Sequence, residues 1–199
     1  VMTFNLRTDF PLDINNRWDK RKEIVYDIIK HNDFDIIGVQ ELNNKMFKDL
    51  TSEISNYNFV GSPRSKKYFI ERNDILVSIR HRILDYNTFW LSEKPDEIGS
   101  AIWYSVFPRI CTTALIELED GNIIRVYNTH LDFLFPKARE YGLKKIVKQN
   151  CYIFDFAINR ALRQVADYAC KLQTDDDNPE KKVQEFIKYL PILAFDGTS

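Results

Sequence analysis

Two apolar segments of this chain each stop on an oxygen-bearing side chain, and that arrangement constrains the fold more than any other feature. The first, Val1-Met2-Thr3-Phe4-Asn5-Leu6, alternates as a strand does and carries Asn5 near its end. The second, Phe34 to Val39, is apolar throughout except at Asp35, as in strands buried on both faces, and it closes on Gln40-Glu41. Between them Trp18, Val25, Ile28 and Ile29 recur at helical spacing over Arg17–His31, with Asn15 or Asn16 placed to cap the helix. A helical crossover would thus join two strands. Their ends offer an amide oxygen and a carboxylate, ligand types that Mg²⁺ takes.

The rest of the chain continues in mixed style. Asn44–Ile54 reads as a second helix, Tyr57–Val60 as a strand, and Tyr68–Leu91 as two β-rich runs broken near Arg80-His81. Arg109–Leu118 and Ile123–Thr129 flank Asp120-Gly121-Asn122, a hairpin signal because these residues tolerate positive φ. Residues 137–149 read as a helix. Leu162, Val165, Ala166 and Ala169 mark another, the run Asp175-Asp176-Asp177-Asn178-Pro179 a turn, Lys181–Tyr189 a further helix and Leu190–Phe195 a last strand. Hairpins with helices before, between and after them predict an α/β layered sandwich. The aromatic stretch Asn150–Asn159 reads as core packing in preference to a lid over an apolar substrate.

A single domain over 1–199 fits the length of 199 residues, enough to bury roughly 70% of the unfolded surface. With 44% apolar and 29% charged residues the composition is that of an ordinary soluble globular protein, and no apolar run nears the ~20 residues that span a bilayer. A net charge of −1 counts against a nuclease, which gains affinity from a basic stripe; the short cluster Arg64, Lys66, Lys67 reads as a solvated loop. Charge does not count against a small phosphorylated substrate. Three cysteines, Cys111, Cys151 and Cys170, lack any metal-binding or paired spacing and point to a reducing compartment, the cytoplasm. Val1 ahead of Met2 suggests that the natural N-terminus has been lost, which leaves export open.

Three of the charged positions carry chemistry on residue type alone. Glu41 reads equally as an exposed strand-end acid and as a metal ligand. His130 ends a strand and is followed by Asp132. Arg109 precedes a strand, where a guanidinium holds phosphate in a two-pronged fashion or simply pairs with a surface acid. His31 and His81 read as spectators. Phe89, Trp90 and Trp103 read as core, and Glu93 as a loop acid.

Taken in order, Val1–Arg7, Asp35–Glu41, Thr88–Pro95 (Thr-Phe-Trp-Leu-Ser-Glu-Lys-Pro) and Val126–Asp132 (Val-Tyr-Asn-Thr-His-Leu-Asp) resemble the endonuclease/exonuclease/phosphatase family, in particular a bacterial branch of small metal-dependent hydrolases. The resemblance runs from about Met2 to about Arg139. It implies two packed, mostly antiparallel β-sheets flanked by helices, and a Mg²⁺-dependent (or Mn²⁺-dependent) phosphoesterase acting on a phosphodiester or a small phosphomonoester. Glu41 and Asn5 are the implied metal ligands and His130 the group facing the scissile phosphate. Arg109 and Asn128 then bind substrate, with Asn128 and Asp132 also placed for supporting hydrogen bonds, and Asp196 orients water. Two departures stand out. Val77 falls where relatives carry a phosphate-contacting tyrosine. Where the family writes Gly-Asp-Phe-Asn, this chain has Phe195-Asp196-Gly197-Thr198, and the family's later Asp-His pair is missing. The chain is therefore read as truncated at both ends. That leaves a fragment of a hydrolase or a non-catalytic remnant acting in binding, with a nuclease proper disfavoured. Substrate identity, metal number and oligomeric state stay open.

Overall fold

The computed structural model describes residues 1–67 and 70–149. The elements read above over 150–199, including the aromatic stretch, Cys151, Cys170, the last strand and Asp196, lie outside the described residues. The chain divides into two compact units, Val1–Lys145 and Ile146–Ser199. In the first, the order is β1 (Met2–Asn5), α1 (Trp18–His31), β2 (Ile36–Gln40), β3 (Leu42–Asn43), α2 (Asn44–Glu53), β4 (Tyr57–Val60), β5 (Glu71–Arg72), β6 (Ile75–Ser78), β7 (Arg82–Trp90), β8 (Ile110–Glu117) and β9 (Ile123–Thr129). Residues 136–149 are helical.

The strands form a four-stranded sheet ordered β1-β2-β6-β4, a three-stranded sheet β7-β8-β9 and the short pair β3-β5. Only β1 and β2 run parallel, as the helical crossover of α1 requires; the other pairs are antiparallel. β2 is buried along its whole length because both of its faces are covered. On one face Ile37 and Val39 pack with Trp18, Val25 and Ile29 of α1 and with Met46 and Leu50 of α2. On the other, Ile36, Ile75 and Val77 pack against Ala114 and Ile116 of the second sheet. This is an α/β sandwich of helices on sheet on sheet. The β8–β9 hairpin turns at Gly121, whose φ of 84° needs a residue without a Cβ, and Asp120 accepts from the Asn122 N–H at 3.0 Å. Among the described residues no helix is long and apolar enough to cross a membrane.

α1 starts at Trp18, and its cap is neither Asn15 nor Asn16. Asp9, nine residues upstream, accepts from the Trp18 N–H at 3.0 Å and takes a two-pronged contact from Arg17 at 2.7 and 3.0 Å. A helix start accepts any oxygen the loop brings to it, and here a loop folded back on itself brings a carboxylate to the positive end of the helix. α2 obeys the local rule: Asn43 accepts from the Met46 N–H at 3.0 Å. The Arg17 guanidinium, helped by the Trp18 N–H and opposed by burial, lowers the Asp9 pKa to about 2. The unfolded value is near 4, so the contribution to stability is fully present above about pH 4 and is lost as pH falls through about 2. Asp9→Asn should therefore cost about 2 kcal/mol near neutral pH and close to nothing near pH 2. Urea denaturation of both proteins at the two pH values checks this; an equal gap at both contradicts it.

Candidate active site

The parallel register places Asn5 opposite Gln40, so Asn5 and Glu41 emerge side by side from one end of the first sheet. Glu41 leaves the strand with φ of 59°, and Arg7 just past β1 has φ of 51°. Left-handed backbone costs a non-glycine residue roughly 1–2 kcal/mol, and such strain gathers where function requires a particular side-chain direction. At this turn the Glu41 carboxylate accepts from the Asn5 amide at 2.9 Å (Oε1) and from the Thr8 N–H at 3.0 Å (Oε2). The Asn5 carbonyl oxygen accepts from the Arg7 N–H at 2.8 Å, which fixes the orientation of the amide. Burial pushes the Glu41 pKa up, but the Asn5 and Thr8 donors, His130 and Arg64 together hold it below the usual carboxylate value. Glu41 is thus kept charged.

His130 follows the last residue of β9, and its Nδ1 lies 3.9 Å from Glu41 Oε1. Burial and the neighbouring Arg109 lower the imidazole pKa below its ordinary value; Glu41 opposes them and Arg64 adds to them. Free of ligand it is neutral near pH 7 with one N–H to give, and an anion in the cleft would offset the arginines and favour its protonation. Arg109 immediately precedes β8, is 7% exposed and donates from Nη1 to the His130 carbonyl at 3.4 Å. Its Nε, buried 3.6 Å from Asp132 Oδ2, has no hydrogen-bond partner among the described residues. Asp132 is occupied with its own loop, accepting from Ser105 Oγ at 2.9 Å and from the Leu134 and Phe135 N–H groups at 3.0 and 2.9 Å. Asn5, Glu41, Arg109 and His130, separated by up to 125 positions along the sequence, converge at one end of the sandwich.

Asn128 stands elsewhere. It is buried between the sheets, donating both amide hydrogens at 2.8 Å to the carbonyls of Val39 and Asp74 and accepting from Gln40 Nε2 at 2.7 Å. Both donors are spent inside the protein, so this side chain ties β9 to β2 and β6 and leaves no N–H for substrate. Gly38 makes that possible. A Cβ there would lie 3.0 Å from the Asn128 side chain, and a glycine inside a strand marks such a close approach.

Two other expectations are corrected. Arg64 is not part of a solvated loop. It is 6% exposed and pairs with Glu71 at 3.0 Å, because the Pro63–Arg72 bridge and the Arg64 N–H to Glu71 carbonyl bond (2.8 Å) fold its segment back; only Lys66 and Lys67 of that cluster are exposed. Trp103 is not core: it is 92% exposed with its ring edge-on to Tyr104 at 5.0 Å, whereas Phe89 and Trp90 are buried as expected. His81 is a satisfied core residue at the opposite end of the first sheet, between Asp35 Oδ1 (2.9 Å) and the Glu119 N–H (3.1 Å). Glu71, adjacent to the site, lies within the β-rich stretch from Tyr68, where nothing local separates it from an exposed strand acid. Among the described residues no group of three His, Cys, Asp or Glu side chains gathers as a ready metal cage.

The structure was compared with known proteins. An endonuclease/exonuclease/phosphatase protein of Bacteroides vulgatus superposes with a TM-score of 0.70 at 35% identity, over 74% of this chain and 57% of its own length. A mannosyl-6-phosphatase of Bacteroides thetaiotaomicron gives 0.70 at 28% identity, over 76% and 58%. A functionally unknown conserved protein of Enterococcus faecalis gives 0.70 at 28% identity, over 74% and 59%. The chain thus spans less than two thirds of the length of each. No protein-family model and no curated protein matches it. In fold and in motif order the chain is similar to endonuclease/exonuclease/phosphatase proteins.

Proposed function

We propose that this chain carries the metal-binding and phosphoryl-binding half of a phosphoester hydrolase site, with a phosphodiester or a small phosphomonoester as substrate. The observation that supports this reading is the convergence of a charged carboxylate, an imidazole and a buried guanidinium at one strand end. Two of the similar solved structures are a mannosyl-6-phosphatase and an endonuclease/exonuclease/phosphatase protein, which supports the same class.

The donor set suits a hard divalent cation. Mg²⁺ asks for one or two carboxylates and keeps several waters, so it needs no protein cage. Glu41 presents such a carboxylate in its charged form, and the two hydrogen bonds it accepts leave lone pairs on both oxygens. Asn5, with its N–H toward Glu41 and its oxygen toward Arg7, orients that ligand and adds an amide oxygen at the rim. When bound, Mg²⁺ or Mn²⁺ supplies Lewis acidity toward a phosphoryl oxygen.

The remaining steps belong to the chain's own groups. Arg109 holds the phosphate through its guanidinium, in a water-poor setting where each such contact is worth more than in bulk. His130, neutral until the anion arrives, takes up a proton as the phosphate offsets Arg109 and Arg64, and donates toward the charge that develops on oxygen. In the whole protein, hydrolysis of p-nitrophenyl phosphate or bis-p-nitrophenyl phosphate should vanish with EDTA and return with Mg²⁺ or Mn²⁺. Turnover that survives exhaustive chelation would sink the reading.

A further inference from the structure

The Arg64–Glu71 pair is a buried ion pair beside the proposed site. Both groups are largely out of water, with side chains 7% and 17% exposed, and the guanidinium contacts the carboxylate at 3.0 Å. Burying an ion pair seldom stabilises a fold over apolar packing of the same volume. Its position is also tightly set. The β3–β5 ladder pairs Glu71 with Asn43, two residues past Glu41, which brings the pair to the same strand end as the metal ligand. Arg64 lies over the Phe107 ring at 5.0 Å, two residues before Arg109, and its carbonyl receives the Trp90 indole N–H at 2.8 Å. Trp90 in turn pairs with Ile110, the residue after Arg109. Arg64 is therefore held against the segment that leads into Arg109, and the two guanidiniums contact Glu71 and Asp132 respectively. Arg64 favours the charged form of Glu41, feels the like charge of Arg109, and acts with Arg109 against the imidazolium of His130.

From this geometry we propose that Arg64 supplies the second fixed positive charge of the anion site, with Glu71 as its positioning residue, and that the pair of arginines selects a doubly charged terminal phosphate over a singly charged diester. The proposal rests on the phosphoester reading above and narrows its substrate class to phosphomonoesters. Two like charges brought together on one rigid frame favour a dianion over a monoanion, since each fixed charge acts on both charges of the ligand. The discrimination acts through the field and does not require Arg64 to touch the substrate.

The test is binding by isothermal titration calorimetry to the metal-loaded protein, at a pH where inorganic phosphate is mainly the dianion, with dimethyl phosphate as the monoanionic counterpart. The wild type should bind phosphate at least ten-fold more tightly than dimethyl phosphate. Arg64→Gln should lose ten-fold or more for phosphate and less than three-fold for dimethyl phosphate. Because that variant leaves Glu71 buried without its partner, the double variant Arg64→Gln/Glu71→Gln is measured beside it and should show the same selective loss. Equal losses for the two ligands indicate a purely structural role and overturn the proposal; so does an unchanged preference for phosphate. A wild type that binds phosphate selectively but hydrolyses neither p-nitrophenyl ester removes the hydrolase reading and leaves the role of Arg64 standing.

Discussion

Glu41→Gln is expected to lower metal-dependent phosphoester hydrolysis by the whole protein about a thousand-fold or more, with little change in fold. The Glu41 carboxylate is held in charged form at this strand end, so on the proposed reading removing its charge removes the cation's anchor and with it several kcal/mol of transition-state stabilisation. A loss of about 4 kcal/mol corresponds to roughly three orders of magnitude in rate. Glutamine keeps the size of the side chain and one acceptor oxygen, so it gives up only one of the bonds from Asn5 and Thr8, about 1 kcal/mol. Steady-state rates with Mg²⁺ or Mn²⁺, set beside thermal denaturation, separate the two effects. A variant within ten-fold of wild type would remove Glu41 from the chemistry.

Asn128→Ala carries the largest expected effect on stability. The amide joins the two sheets by hydrogen bonds to Val39, Asp74 and Gln40, all in the dry layer between them. Truncation takes the Asn128 donor from the Val39 carbonyl and opens a hole over Gly38. Each stranded buried group costs about 1–3 kcal/mol. The Asp74 carbonyl keeps its bond from the Val39 N–H at 2.9 Å, and Gln40 keeps its bonds to Thr3 and to the Gly38 carbonyl, which limits the total to about 3 kcal/mol. That is a fall in midpoint of about 6–12 °C for a chain of this size. Calorimetry reads it directly; a shift under about 2 °C would show that the bridge is dispensable.

How far the sequence disclosed all this depended on the range of the interaction involved. β2, α2, β4 and the β8–β9 hairpin were legible because period, cap and turn chemistry are local: Asn43 caps α2 three residues away, and Gly121 turns its own hairpin. The α1 cap was not, since Asp9 reaches Trp18 only after its loop closes. Within the site, Asn5, Glu41 and His130 were legible as oxygen and nitrogen donors at strand ends. Of the two roles read for Asn128, the supporting hydrogen bonds are present and no N–H is left for substrate. Its motif position is the same whether the side chain faces a substrate or the neighbouring sheet; Gly38, a glycine inside an apolar strand, is the clue to the second. Arg64 was hidden by its neighbours. Beside Lys66 and Lys67 it looks like one more solvated charge, and nothing local marks Glu71 as the residue that draws it in. Trp103 shows the converse, an aromatic side chain exposed in a loop where composition alone favours burial.

The central claim is that Glu41 anchors a divalent cation at the end of the first sheet. Titration of Mn²⁺ followed by electron paramagnetic resonance tests it without relying on turnover, using the wild type and Glu41→Gln under identical conditions. The structure predicts that the wild type depletes the free Mn²⁺ signal with saturable binding that Mg²⁺ displaces, and that Glu41→Gln weakens this binding at least ten-fold. Equal Mn²⁺ binding by the two proteins would contradict it.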